Sequence, residues 1–265
     1  MLRCRQKFEE VKKKRPYALP VGIYPSFLPT RMKPINLSFA ACGFLGIYHL
    51  GAASAFCKHG QKLLQNVKAF AGASAGSLAA SVLLTAPEKI EECSEFTYQF
   101  AEEIRGQSFG ALTPGYDFMA RLRSRMESIL PPDAHKLAQH RLHVSITNTR
   151  TRENCLVSSF SCREDLIQKW ADGGLTDSLP ILPAGRTVTI SPFSGRLDIS
   201  PRDAGRPDLY VTIANQDITL SLANLVRLSQ ALCPPSTRKM ECLYQRGFDD
   251  TVKFLLKENW FEEKA

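Results

Sequence analysis

No histidine follows position 143 in this chain of 265 residues. That excludes a hydrolase whose base is a late histidine placed after its nucleophile and its acid. The eight cysteines (4, 42, 57, 93, 155, 162, 233 and 242) form no Cys-x-x-Cys pair and no regular spacing. Neither a zinc site nor a disulfide framework has support in that pattern, so no metal is expected and reduced thiols are. The N-terminus lacks the apolar segment of a secretory signal, which points to a cytoplasmic protein. Internal repeats and low-complexity tracts are absent. The bulk of the chain also lacks net charge. Residues 1–33 hold nine Lys or Arg and two Glu, and the rest hold 25 basic and 24 acidic groups. The overall charge of +8 therefore sits in a basic N-terminal extension with Lys12-Lys13-Lys14-Arg15 at its centre. An extension of this kind suits anionic lipid or bulk solvent better than specific nucleic-acid readout, so no nucleic-acid partner is expected.

Two long stretches carry no formal charge, Pro34 to Cys57 and Ala69 to Pro87. Each divides into an apolar run, a glycine-containing turn and a small-residue helix. That reads as a buried parallel strand with its crossover helix, not as a membrane-spanning segment, and no transmembrane helix is expected. Ile35 to Phe39 and Val67 to Ala71 are the first two strands, with helices over Ile47 to His59 and from the second turn to about Thr85. Pro87 to Phe109 and Tyr116 to Ile129 have helical periodicity. Leu142 to Asn148 and Asn154 to Phe160 read as a hairpin across the polar linker Thr149 to Glu153. Thr187 to Ile190 and Leu209 to Ile213 are further strands, and Ser221 to Leu232 and Asp249 to Phe261 are amphipathic helices. The apolar faces of Leu220 to Leu232 and Phe248 to Phe261 are expected to turn into the core. Alternating strands and helices imply an α/β fold around a mainly parallel sheet.

Against that background one motif stands out. Gly72-Ala73-Ser74-Ala75-Gly76 joins an apolar strand to a small-residue helix. A serine with glycines two residues to either side, on a strand-to-helix turn, is a nucleophile elbow. The turn lifts the hydroxyl clear of the backbone, and the helix start brings N–H groups beside it. An activated serine also needs a base. His135, His140 and His143 cluster where a helix gives way to a strand, the setting of satisfied surface or core histidines. The other base is a carboxylate: Asp172, followed by Gly173 and Gly174, which let it turn into a cleft at low steric cost. A third requirement is a set of anion-stabilising donors. Ala40-Ala41-Cys42-Gly43-Phe44-Leu45-Gly46 follows the first strand and precedes a helix, so its N–H groups can converge on an anion. A dinucleotide fingerprint would need glycine at position 41, where Ala41 stands, and no acidic residue ends the second strand. Nucleotide binding is not expected.

Together the run Asn36 to Gly46, the Gly72 to Gly76 elbow and Asp172-Gly173-Gly174 resemble the patatin-like phospholipase domain family, within its group acting on triacylglycerol. The resemblance covers about Met32 to the C-terminus. It implies a three-layer α/β/α fold and a Ser74–Asp172 dyad, with the Cys42, Gly43 and Phe44 loop as the oxyanion hole and Gly46, Gly72, Gly76, Gly173 and Gly174 as motif glycines. It also implies a lipid-ester substrate (triacylglycerol, phospholipid or retinyl ester) met at a droplet or membrane surface, hydrolysis or acyl transfer, and no cofactor. Residues 1–33 then form an extension, 34–182 the catalytic domain, and 183–265 the strands and helices that complete it.

Two departures accompany the resemblance. Ala41 stands where many relatives carry the first glycine of the loop. Ser161-Cys162-Arg163-Glu164 reads as a capping box opening a helix, yet Lys169-Trp170-Ala171-Asp172 follows almost at once. A parallel crossover needs about a dozen residues or more, so a segment looks excised before Lys169. This sets up the alternative reading of a catalytically impaired, lipid-associated form. A third reading, a general esterase using His135, His140 or His143, belongs to a different mechanism.

Overall fold

The computed structural model describes residues 34–148, 150–169, 176–203 and 209–263. Asp172, Gly173 and Gly174 lie outside those residues, as does the basic segment 1–33. The sheet is built from β1 (Ile35–Phe39), β2 (Val67–Ala73), β3 (Leu142–Thr147), β4 (Asn154–Val157) and β5 (Arg186–Ile190), in the order β4-β3-β2-β1-β5. β1 runs parallel to both β2 and β5, and β2 runs parallel to β3. Only β4, at an edge, is antiparallel. The fold is thus α/β, a mostly parallel sheet flanked by helices. β1 and β2 are buried along nearly their whole length, which is why both read as unbroken apolar runs instead of alternating ones.

The first two uncharged stretches resolve as expected. α1 (Gly46–His59) follows β1, α2 (Gln61–Asn66) returns to β2, and α3 (Ala75–Thr85) leaves it. Among the described residues no helix is long and apolar enough to cross a membrane. α3 buries Ser77, Ser81 and Thr85 without penalty because each hydroxyl donates to the carbonyl three or four residues earlier. A 3-10 turn over Pro87–Lys89 separates α3 from α4 (Ile90–Arg105), so the single helix expected over Pro87 to Phe109 is shorter. α5 (Phe118–Ile129) and α6 (Ala134–Ala138) lead to β3.

α7 (Arg163–Lys169) forms despite the short connection, with Leu166 and Ile167 buried. Its cap differs from the expected box. Asp165, not Glu164, reaches back, accepting from the Ser161 N–H at 2.9 Å and from its hydroxyl at 3.1 Å. The Cys162 sulfur accepts from the Asp165 N–H.

Past β5, β6 (Tyr210–Ile213) and β7 (Gln216–Thr219) form a separate hairpin. Its two turn residues, Ala214 and Asn215, both have positive φ, as a type I′ turn demands. α8 (Leu222–Leu232) and α9 (Thr237–Lys257) complete the fold. α9 begins twelve residues before the helix expected from Asp249 and packs along α1. The two backbones touch at glycines. A Cβ on Gly51 would fall on the Tyr244 carbonyl, and one on Gly247 on the Tyr48 carbonyl. The Tyr48 hydroxyl donates to buried Asp250 at 3.1 Å, and Asp250 also pairs with Arg246 and Lys253.

α8 contradicts the sequence reading. Only Asn224 of this helix is buried, while Leu222 is 78% and Leu232 74% exposed. Its polar side faces the protein, where Asn224 and Arg227 find their partners.

Candidate active site

Ser74 occupies φ 50°, ψ −127°, a conformation that an L-residue adopts only when its surroundings impose it. The flanking glycines show what imposes it. A Cβ on Gly72 would come within 2.7 Å of the Gly76 carbonyl carbon and of the Ser77 nitrogen. One on Gly76 would fall on the carbonyl oxygens of Phe39 and Ala40, at the end of β1. Strand, turn and helix therefore pass at backbone distance, and only glycine fits at both positions. The Ser74 carbonyl caps α3, accepting from the Ser77 N–H at 2.9 Å and the Ser77 hydroxyl at 2.6 Å. With that carbonyl committed to the helix, the side chain faces a cavity.

The cavity has a volume of about 320 Å3 and is mainly apolar, with Thr97 and Arg123 among the residues that line it. Leu78 and Val82 of α3, Phe96 and Phe100 of α4, Phe118 and Met126 of α5, and Leu232 of α8 form its walls. Phe44 packs edge-on against Phe118 with ring centroids 6.0 Å apart, and Phe118 against Phe100 at 5.0 Å. Ser74 lines this space together with Gly43, Phe44 and Gly46.

The loop after β1 is held from three sides. The Ala40 N–H donates to Ile190 O at 2.9 Å, and the Ala41 N–H to Ser178 O at 2.7 Å. His49 Nε2 lies 2.8 Å from Ala40 O and donates to it. His49 is fully buried between Phe39 and Tyr48, its Nδ1 has no partner among the described residues, and burial lowers its pKa to about 4. It is a neutral strut under the loop, a role that its position in an apolar run did not announce. Gly43 has φ +52°, so this is the loop position that requires glycine, whereas Ala41 has no positive φ. Ala41 is therefore accommodated without strain. Cys42 is buried, which pushes its thiol pKa far up and keeps it protonated. Among the described residues, the N–H groups of Cys42, Gly43 and Phe44 enter no hydrogen bond.

No histidine, Asp or Glu among the described residues lines the cavity. His143 pairs in register with Ala71 on β2 and is half-buried. His140 precedes β3, towards the opposite end of the sheet from Ser74, and His135 lies in α6. The chain that follows Asp172 does come to the right end. Thr176 bonds the Thr147 hydroxyl at 2.9 Å, Asp177 O accepts from Ser145 at 2.7 Å, and Ser178 O holds Ala41. β2 lies between β3 and β1, so residues 176–178 run across the end of β2 that carries Ser74.

Comparison with known proteins extends this picture. Residues 37–166 match the model of the patatin-like phospholipase family. Human patatin-like phospholipase domain-containing protein 4 is 76% identical over 253 residues, covering 87% of this chain and 100% of that protein. Since 87% of 265 residues is about 230, about 22 positions of that relative have no counterpart here. Mouse patatin-like phospholipase domain-containing protein 2 is 34% identical over 242 residues, 83% of this chain and 50% of that protein. Human omega-hydroxyceramide transacylase is 30% identical over 248 residues, 85% of this chain and 46% of that protein. The chain thus spans the whole of the first relative and about half of the other two. With a full-length relative at 76% identity, this chain belongs to the patatin-like phospholipase family.

Proposed function

We propose that this chain is a lipid acyl hydrolase or transacylase working through an acyl-enzyme on Ser74, with Asp172 as its base. The observation that carries the reading is the strained Ser74 in the lining of a mainly apolar cavity, which it shares with a loop whose N–H groups are uncommitted among the described residues. The Ser74 hydroxyl attacks the ester carbonyl carbon and its proton passes to Asp172. The carbonyl oxygen, now an oxyanion, takes hydrogen bonds from the Cys42, Gly43 and Phe44 N–H groups. Collapse breaks the ester bond, and the leaving alcohol takes the proton from Asp172. Water or an acceptor alcohol then attacks the acyl-Ser74 ester. It gives its proton to Asp172, which returns it to Ser74 as the acid or new ester departs.

The assignment of the base rests on elimination and on tethering. Among the described residues no histidine, Asp or Glu lines the cavity, and Asp172 is four residues from Thr176, a span of at most about 14 Å. A dry, apolar setting raises a carboxylate pKa and strengthens it as a base. Apolar walls of this volume suit a fatty-acyl chain, and the substrates favoured are triacylglycerol, phospholipid or a retinyl ester at a droplet or membrane surface. One relative is a transacylase by name, which favours testing acceptor alcohols beside water.

A second reading has its own observation. The roughly 22 positions absent relative to the human protein suit a deletion before Lys169, where the crossover is short. A form so shortened binds lipid without turning it over. Hydrolysis of a fluorogenic long-chain ester by the purified chain, with Ser74→Ala and Asp172→Asn as controls, separates the two. Turnover that falls by about three orders of magnitude or more in both variants supports the dyad. Turnover unaffected by Asp172→Asn removes Asp172 from the mechanism, and no turnover in a folded sample favours the impaired form.

A further inference from the structure

α8 is an amphipathic helix turned inside out. At 100° per residue, Leu222, Leu225, Val226, Leu228 and Leu232 share one arc, and all five are between 47% and 78% exposed. The opposite arc carries Asn224, Arg227 and Ala231, and these make the contacts with the protein. Asn224 Nδ2 donates to Ser194 O and Thr219 O, and its Oδ1 accepts from the Ser194 N–H. Arg227 pairs with Asp203 at 2.6 Å. The Ala231 carbonyl lies so close to Gly43 that a Cβ there would collide with it. Polar bonds therefore fix the orientation, and the apolar face is presented outward.

We propose that this face of α8 seats the protein on an anionic phospholipid surface, with the end of the helix opening the cavity towards the bilayer. Two observations select that occupant. Leu232 and Ala231 belong both to α8 and to the lining of the Ser74 cavity, so an acyl chain leaving a bilayer under α8 enters the cavity along continuous apolar surface. A second copy of the chain on the same face would cover that entrance. The flanks are also basic. Arg202 and Lys239 line a groove with Leu222 and Val226, where the one carboxylate, Asp203, is paired with Arg227; Arg123 lines the cavity that Leu232 also lines, and Arg202, Lys239 and Arg123 enter no ion pair among the described residues. Arg227, the single charge within α8, is turned inward. Leucines at the boundary with cations beside them match an interfacial helix on acidic headgroups. The inference rests on the lipid-ester reading of the site, but it concerns binding and is testable without turnover.

The test is co-flotation of the whole chain with phosphatidylcholine vesicles, with and without 30% phosphatidylserine. Ser74→Ala is expected to float like the wild type, which separates docking from catalysis. Leu222→Ser/Leu225→Ser is expected to weaken binding at least tenfold with the melting temperature unchanged. Arg202→Gln/Lys239→Gln is expected to remove the preference for phosphatidylserine. Undiminished binding of the leucine variant would overturn the proposal. So would loss of binding only when Lys12, Lys13, Lys14 and Arg15 are changed to Gln. A wild-type dimer in size-exclusion light scattering that the leucine variant makes monomeric would overturn it as well, assigning the face to a second copy.

Discussion

α8 and α9 are consecutive amphipathic helices that the fold treats in opposite ways. α9 packs along α1 and buries Met240, Leu243, Phe254 and Leu255, while α8 buries Asn224 and exposes its leucines. Periodicity establishes that each helix has two faces and is silent about which face turns inward. The decision lies in the partners. α1 offers α9 an apolar groove and a glycine at closest approach, whereas Ser194, Thr219 and Asp203 offer α8 hydrogen-bond partners. A helix on a structural duty and a helix on an interfacial one thus differ in what they are bonded to more than in composition.

Substitutions break the comparison in a graded way. Phe254→Ala on α9 opens a cavity in the core and is expected to cost about 3–5 kcal/mol in denaturant unfolding. The framework beneath α9 also carries a pH signature through His49. Its folded pKa of about 4 lies below the ordinary 6.5, so its contribution is fully present above pH 6.5 and is lost as pH falls towards 4. The loss amounts to about 3 kcal/mol, and a His49→Gln variant should flatten that slope in melting curves taken from pH 7 to 4. Asn224→Ala on α8 strands the Ser194 N–H and two carbonyls and is expected to cost about 2 kcal/mol. Leu225→Ser, on the exposed arc, should change stability by less than about 0.5 kcal/mol. A large loss there would mean that α8 is packed against something and would dissolve the contrast.

What was legible in the sequence was local. β1, α1, β2 and α3 follow from runs that combine composition and punctuation over a few residues, and the Gly72 to Gly76 elbow needs nothing beyond itself. Features set by distant partners were not legible. Gly247 interrupts the helical pattern in the sequence, and only its close approach to Tyr48 of α1 shows why α9 runs through it from Thr237. Ala214-Asn215 carries no glycine to signal a turn before β7; Ser178 holds that turn through the Ala214 carbonyl. α2 and α6 are too short for a periodic signal. At the site, Ser74 and Gly43 and Phe44 of the loop after β1 line one cavity. Asp172, Gly173 and Gly174 lie outside the described residues, and the described chain that follows them, Thr176 to Ser178, is anchored at the end of the sheet where Ser74 stands.

The central claim is that Ser74 is an activated nucleophile, and reaction of the purified chain with a fluorophosphonate serine probe tests it most directly. Labelling of the wild type that disappears in Ser74→Ala is the predicted result, and it would show the elbow assembled despite the short connection before Lys169. A folded wild type that takes no label, or labelling that persists in Ser74→Ala, would contradict it.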